Sequence, residues 1–291
     1  MNRVPYGVQV LLLGLSAVLA EAQGQDEPAT PAGQYQALAK EFNAEGYAFR
    51  QATADAERTS IVARANKITL RLLDLAEKNP QDPIALDALV QVINQELWLE
   101  FNTTHPGFGE DSPEVKAIAI LLRDHVRSDK LGEAIRRVQY GFRPECETFL
   151  RTVLEKSPHR EIQGLACLRL AQSLNVRLQR VELLREQPEM AKRYEGLFGK
   201  EYVDGLSRRN RAEAVQEVEA FFERAAEKYG DVKVPYGDTV GQKAESELHE
   251  IHHLSVGKEA PEIEGEDQEG KRFKLSDYRG KVVLLYFWSE N

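Results

Sequence analysis

From Gln34 to Leu254 the apolar residues of this chain recur three and four apart almost without interruption. Leu72, Leu73, Leu75 and Ala76 form one such set, followed by Ile84, Leu86, Leu89, Val90, Ile93 and Leu97. Phe149, Leu150, Val153 and Leu154 form another, and Leu165, Leu168, Leu170, Leu174 and Leu178 a third. At 3.6 residues per turn this spacing puts each set on one stripe of a helix. The stretch therefore reads as a succession of amphipathic helices that cover one another's apolar faces. Asp82-Pro83, Ser112-Pro113 and Ser157-Pro158 each predict a helix start. In each, a side-chain oxygen caps and a proline stands at the first helical position, where its missing N–H costs nothing.

A weak self-similarity overlies the helices. Ala76-Glu-Lys-Asn-Pro80, Leu154-Glu-Lys-Ser-Pro158 and Ala226-Glu-Lys-Tyr-Gly230 each end one helix in Glu-Lys and turn at Pro or Gly. The helices that return are expected at 84–97, 162–178 and 241–254. This is the grammar of stacked, tetratricopeptide-like helical hairpins, although the copies are irregularly spaced. An irregular helical bundle satisfies the same pattern.

The chain has 291 residues, 42% of them hydrophobic, enough for one large or two ordinary domains. A net charge of -9 repels phosphate backbones and anionic membrane surfaces, so neither nucleic acid nor such a surface is an expected partner. Arg3, the apolar run from Val8 to Leu19 and the small-x-small site Ala20-Glu21-Ala22 predict a signal peptide over 1–22. The mature protein is then expected to be exported, periplasmic or extracellular. No other apolar run approaches the roughly 20 residues of a membrane span. Residues 23–33 are a polar Pro/Gly segment, expected to be a disordered linker. The helical domain is expected over 34–254.

At Ser255 the texture changes. Val256-Gly257-Lys258-Glu259-Ala260-Pro261 breaks the helix, and a short, polar, turn-rich stretch follows. Gln268-Glu269-Gly270-Lys271 predicts a hairpin turn leading into the alternating strand Arg272-Phe273-Lys274-Leu275. Ser276 to Gly280 predicts a short turn. Lys281 to Phe287 is a continuous β-rich apolar run of the kind that fills a central strand buried on both faces. One such strand and an edge hairpin do not make a stable domain by themselves.

Over 256–291 the ordered elements are Gly257-x-x-Ala260-Pro261, Asp267-x-x-Gly270-Lys271, Leu275-Ser276-Asp277-x-x-Gly280-Lys281, Val282-Val283-Leu284 and Phe287-Trp288. Together they resemble the opening of a redoxin, a thioredoxin-like domain of the peroxiredoxin and exported thiol-disulfide oxidoreductase kind. The resemblance implies the truncated first strands of an α/β thioredoxin-like domain, which with the helical-hairpin array read above makes a mostly α chain. It implies thiol–disulfide oxidoreductase or thiol peroxidase chemistry without a bound cofactor, acting on a peroxide or a redox partner protein. In the family the first core strand delivers a cysteine to a helix N-terminus, which stabilises its thiolate. Ser289-Glu290-Asn291 stand just before that position, so the reactive cysteine is expected beyond Asn291. No residue of this sequence is assigned a catalytic, cofactor-binding or metal-binding role. A fragment of a longer protein and a naturally shortened one both fit this ending. A non-enzymatic helical interaction protein with a degenerate redoxin tail is the alternative function, and in either case the helical domain is expected to offer a protein-docking surface.

Cys146 and Cys167 lie on separate predicted helices, without C-x-x-C spacing. They are read as small buried hydrophobes, and a disulfide between them requires Cα atoms within about 7 Å. His249-Glu250-Ile251-His252-His253 contains H-E-x-x-H, the helical spacing of a zinc site. It has no obvious third ligand and is read as a charged helix face with Ile251 and Leu254 on its buried side. Asn102-Thr103-Thr104 is read as a chance sequon, Phe108 as a tucked loop aromatic, and Arg136-Arg137 and Arg208-Arg209 as solvated helix faces.

Overall fold

A computed structural model of the protein describes residues 30–102, 112–141, 143–208, 210–235, 237–255, 257–267 and 269–286. The expected signal peptide, most of the expected linker, Thr103, Phe108 and Phe287 to Asn291 lie outside them.

The described chain is mostly α-helical. Helix α1 spans Pro31–Gln51, α2 Asp55–Lys78, α3 Pro83–Asn102 and α4 Pro113–Ile120, the last running into a π-helical turn at Leu121–His125. Then come α5 (Gly132–Val138), α6 (Pro144–Lys156), α7 (Arg160–Glu186), α8 (Pro188–Phe198) and α9 (Lys200–Arg208). Helices α10 (Arg211–Tyr229) and α11 (Val240–His249) complete the set, and a second π-helical turn covers Glu250–Leu254. No helix among the described residues is long and apolar enough to cross a membrane.

Several starts form as their residues predict. The Asp82 carboxylate accepts from the Ile84 N–H at 2.9 Å, and the Ser112 hydroxyl from the Val115 N–H at 3.3 Å. Two boundaries move. Helix α1 begins at Pro31 and not after residue 33, because Thr30-Pro31 is itself a cap-and-proline pair and the Thr30 hydroxyl accepts from the Gly33 N–H. Ser157 closes α6 and does not open the next helix, which starts at Arg160. The Ser157 hydroxyl takes the His159 N–H, so one serine serves the turn between two helices.

Consecutive helices pack as pairs: α1 on α2, α2 on α3, α6 on α7 and α10 on α11. Helix α7 departs from a linear series. At roughly 40 Å long, it touches α5, α6, α8, α9, α10 and α11. Its buried Cys167, Leu168, Leu170 and Ala171 belong to one continuous core with Leu72, Leu89, Ile93, Leu121, Ile135, Phe149, Leu150 and Phe222. The far half of α7 carries a second small core, in which Val181 and Leu184 pack with Val203 and Leu206.

Two glycines set how closely the later helices approach. A Cβ on Gly164 would lie 2.9 Å from Tyr229 Cβ, so α7 meets the end of α10 almost backbone to side chain. A Cβ on Gly241 would lie 2.9 Å from both Cα and O of Gly230, and the Gly241 N–H already donates to that carbonyl. Only glycine fits this crossing without displacement.

After Leu254 the helices end. Strands β1 (Glu264–Glu266) and β2 (Arg272–Lys274) pair antiparallel, with Glu264 opposite Lys274, Gly265 opposite Phe273 and Glu266 opposite Arg272. Of the central strand expected over Lys281–Phe287, the described residues 281–286 form no strand. Val282, Leu284 and Tyr286 are 103%, 91% and 82% exposed, and 282–286 are irregular. A strand exists through its ladder, and no neighbouring strand pairs with this run among the described residues.

Candidate functional site

The C-terminal segment is built from its turns outward. Asp267 anchors the hairpin: its carboxylate accepts from the N–H groups of Glu269 and Lys271, both at 2.9 Å. Its own N–H donates to the Lys271 carbonyl. Gly270 has φ 76°, the left-handed conformation that lets the chain turn back between β1 and β2. The Asp-x-x-Gly-Lys spacing is thus the chemistry of one turn. Phe273 lies over Gly265, where a Cβ would come within 3.2 Å of the ring. Lys274 pairs with Glu264 and Arg272 with Glu266 across the strands.

The next motif, Leu275-Ser276-Asp277, closes onto the hairpin. The Leu275 N–H extends the ladder to the Ile263 carbonyl at 2.9 Å. The predicted turn here is a 3-10 helix, Leu275–Tyr278. The Asp277 carboxylate accepts from the Lys274 N–H, and the Glu262 carboxylate from the Ser276 N–H, each at 2.9 Å. That bond from Ser276 holds the Glu262 carboxyl below its ordinary range. Gly280, at φ 84°, then reverses the chain, and Lys281 N–H donates to the Tyr278 carbonyl. The motif residues therefore form a scaffold that leads into the apolar run after Lys281.

Residues 256–291 match the AhpC/TSA family. The tail is related to the redoxins. Peroxiredoxin Bcp of Bacillus subtilis (strain 168) is 40% identical over 38 residues, which are 13% of this chain and 24% of that relative. The chain thus spans about a quarter of the length of the curated relative it matches. No solved structure matches. The redoxin-like part is a partial domain, and its relationship is to thiol peroxidases and thiol oxidoreductases.

Neither cysteine of the helical region belongs to this segment. Both are buried and neither is in a disulfide, Cys146 on α6 and Cys167 on α7. Burial pushes the Cys167 thiol up to about 11, so it holds almost no thiolate near neutrality. Cys146 donates from Sγ to Glu114 Oε1 at 3.5 Å. Glu114 is fully buried at the start of α4, and its Oε2 lies 2.9 Å from Arg143 Nε. Burial raises the Glu114 carboxyl above its ordinary range, although Arg143 and Cys146 pull it down. This polar cluster was not apparent in the sequence. Glu114 follows Ser-Pro and reads as an ordinary first-turn acid, while Arg143 stands in a loop.

His249 and His253 stack with ring centroids 4.7 Å apart. The π-helical turn at 250–254 widens the winding, yet the two rings stay neighbours, tilted by 40°, so both histidines of H-E-x-x-H share one face. Glu219 of α10 reaches His252 instead, with Oε1 3.0 Å from Nε2. Among the described residues no three His, Cys, Asp or Glu side chains gather as a metal would need. Ile251 packs against the core as expected, but Leu254 is 54% exposed because the helix has ended beside it.

Proposed function

We propose that this is an exported redoxin-type protein whose C-terminal segment opens a thioredoxin-like domain performing thiol–disulfide exchange or peroxide reduction. The observation that carries the reading is the hairpin and 3-10 scaffold from Glu262 to Lys281. There every glycine and aspartate of the family-like spacing has a structural task, and the AhpC/TSA match over 256–291 runs through it. The reactive cysteine follows Asn291 in the complete protein. Its thiolate attacks the terminal oxygen of a peroxide, the O–O bond breaks, hydroxide or alkoxide leaves and takes a proton from solvent, and the sulfur is oxidised to a sulfenic acid.

The helical region, a degenerate hairpin repeat in this reading, docks the protein that supplies or receives electrons. Its own continuous core, which includes no residue of the β hairpin, supports a separately packed platform. The test compares the 291-residue protein with the product of the uninterrupted native gene under a slight excess of hydrogen peroxide. The longer product is expected to lose one thiol rapidly and the shorter none on that timescale. Equal thiol loss in the two would overturn the reading. N-terminal sequencing of protein from its native host is expected to begin at Gln23, and a start at Met1 would contradict export by a cleaved signal.

A further inference from the structure

The turn after α5, the middle of α7 and the start of the second π-helical turn leave an open groove of about 380 Å³. Its wall carries Tyr140, Arg169, Gln172, Asn175, Arg180 and Glu247. The cations there are not equivalent. Arg177, also on this wall, is engaged by Glu147, and Arg180 lies 5.8 Å from the Tyr194 ring. Arg169 is half-buried, and its guanidinium donates to the Gln172 side-chain oxygen at 2.7 Å. Among the described residues no carboxylate lies within salt-bridge distance of Arg169, although the charge of Glu247 acts on it from further off. Gln172 is in turn fixed by donating to Glu247 Oε1 at 2.9 Å.

Burial lowers the Arg169 pKa and Arg136 adds to the effect, while Tyr140 and Glu247 oppose it. A guanidinium nonetheless stays charged at neutral pH. It has five N–H donors, and its planar fork suits a carboxylate in two parallel bonds. The neighbouring side chains restrict what could arrive. Glu247 and Glu250 line the same groove and oppose a polyanion. Tyr140 and Val176 on the rim are 58% and 48% exposed and supply apolar surface.

We propose that this groove binds a monocarboxylate with an apolar or aromatic body, the carboxylate forked on Arg169 and the body against Tyr140 and Val176. A small organic acid and the C-terminus of a peptide share that chemistry. The site is independent of the redoxin reading, since all of its residues belong to the helical region.

The test is calorimetric titration of the 291-residue protein with 3-phenylpropionate and with the tetrapeptide Gly-Ser-Leu-Phe, as free acid and as C-terminal amide. Saturable binding of either acid, weakened about tenfold or more in Arg169→Gln, is expected. Whichever acid binds names the source. In the unmodified protein, arylglyoxal labelling of Arg169 read by mass spectrometry is expected to slow when the acid is present, which keeps the test valid if the variant does not fold. The proposal fails if neither acid saturates, if the amide or inorganic phosphate binds as tightly, if Arg169→Gln folds and binds equally, or if Arg169 labelling is not slowed.

Discussion

At the scale of the residue, the two most informative carboxylates behave in opposite ways. Glu147 on α6 is largely buried between Arg177 of α7 and Arg151 one turn ahead, the latter at 2.8 Å. Arg151 also reaches Glu217 of α10 at 2.5 Å, so three helices are joined through one network. Burial pushes the Glu147 carboxyl up, but the two guanidiniums outweigh it and hold the group below its ordinary 4.5. A depressed folded pKa gives stability that is complete above 4.5 and lost as pH falls through the folded value. Glu147→Gln is expected to cost about 1–3 kcal/mol in urea unfolding at pH 7, with less of a penalty in acid. A variant as stable as the parent at pH 7 would contradict the network. Glu114 has the opposite sign: its raised carboxyl favours the fold most below 4.5, and the contribution falls as pH climbs to the folded value. That the cysteines are buried was legible from their place in apolar helical stripes. That one of them bonds to a buried glutamate was not, because the partners are 32 positions apart. Burial that pushes the Cys167 thiol up to about 11 leaves it protonated near neutrality. Ellman's reagent is expected to react with Cys146 and Cys167 promptly in guanidinium and far more slowly in the native protein.

At the scale of the element, helix content was legible and packing partners were not. Apolar periodicity marks which face of α2, α3, α6 and α7 is buried, and cap-proline pairs mark the starts of α3 and α4. It does not say that α7 serves six neighbours, since one stripe only measures how much face is covered. The glycine contacts are equally hidden, because they depend on which helices cross. Gly241→Ala forces the Gly230 backbone aside and is expected to lower stability by about 1–3 kcal/mol. An unchanged thermal midpoint would show that the α10–α11 crossing yields easily. In the tail, local chemistry was readable because each bond spans only a few residues. Asp267→Ala removes the acceptor for two turn N–H groups. It is expected to abolish the cross-strand contact between Gly265 and Phe273 in NMR spectra, and an intact contact would contradict the turn's dependence on that carboxylate.

At the scale of the whole molecule, a closed helical core stands in sequence before an open beginning of β structure. Core residues such as Phe149, Leu150 and Phe222 are wholly buried, whereas Val282 to Tyr286 present apolar side chains to solvent. The run after Lys281 has the composition of an interior strand, and composition was all the sequence could supply. Whether it pairs depends on neighbours that the described residues do not contain. The family match over 256–291 and the quarter-length overlap with Peroxiredoxin Bcp place the tail within redoxin relationships. Redox activity itself is the central claim. The most direct test is to read the native coding sequence past the codon for Asn291. A frame that continues and encodes a cysteine within its first few codons is the predicted result. A stop codon there, or a continuing frame without a cysteine, would contradict it and leave the helical region as the place where function resides.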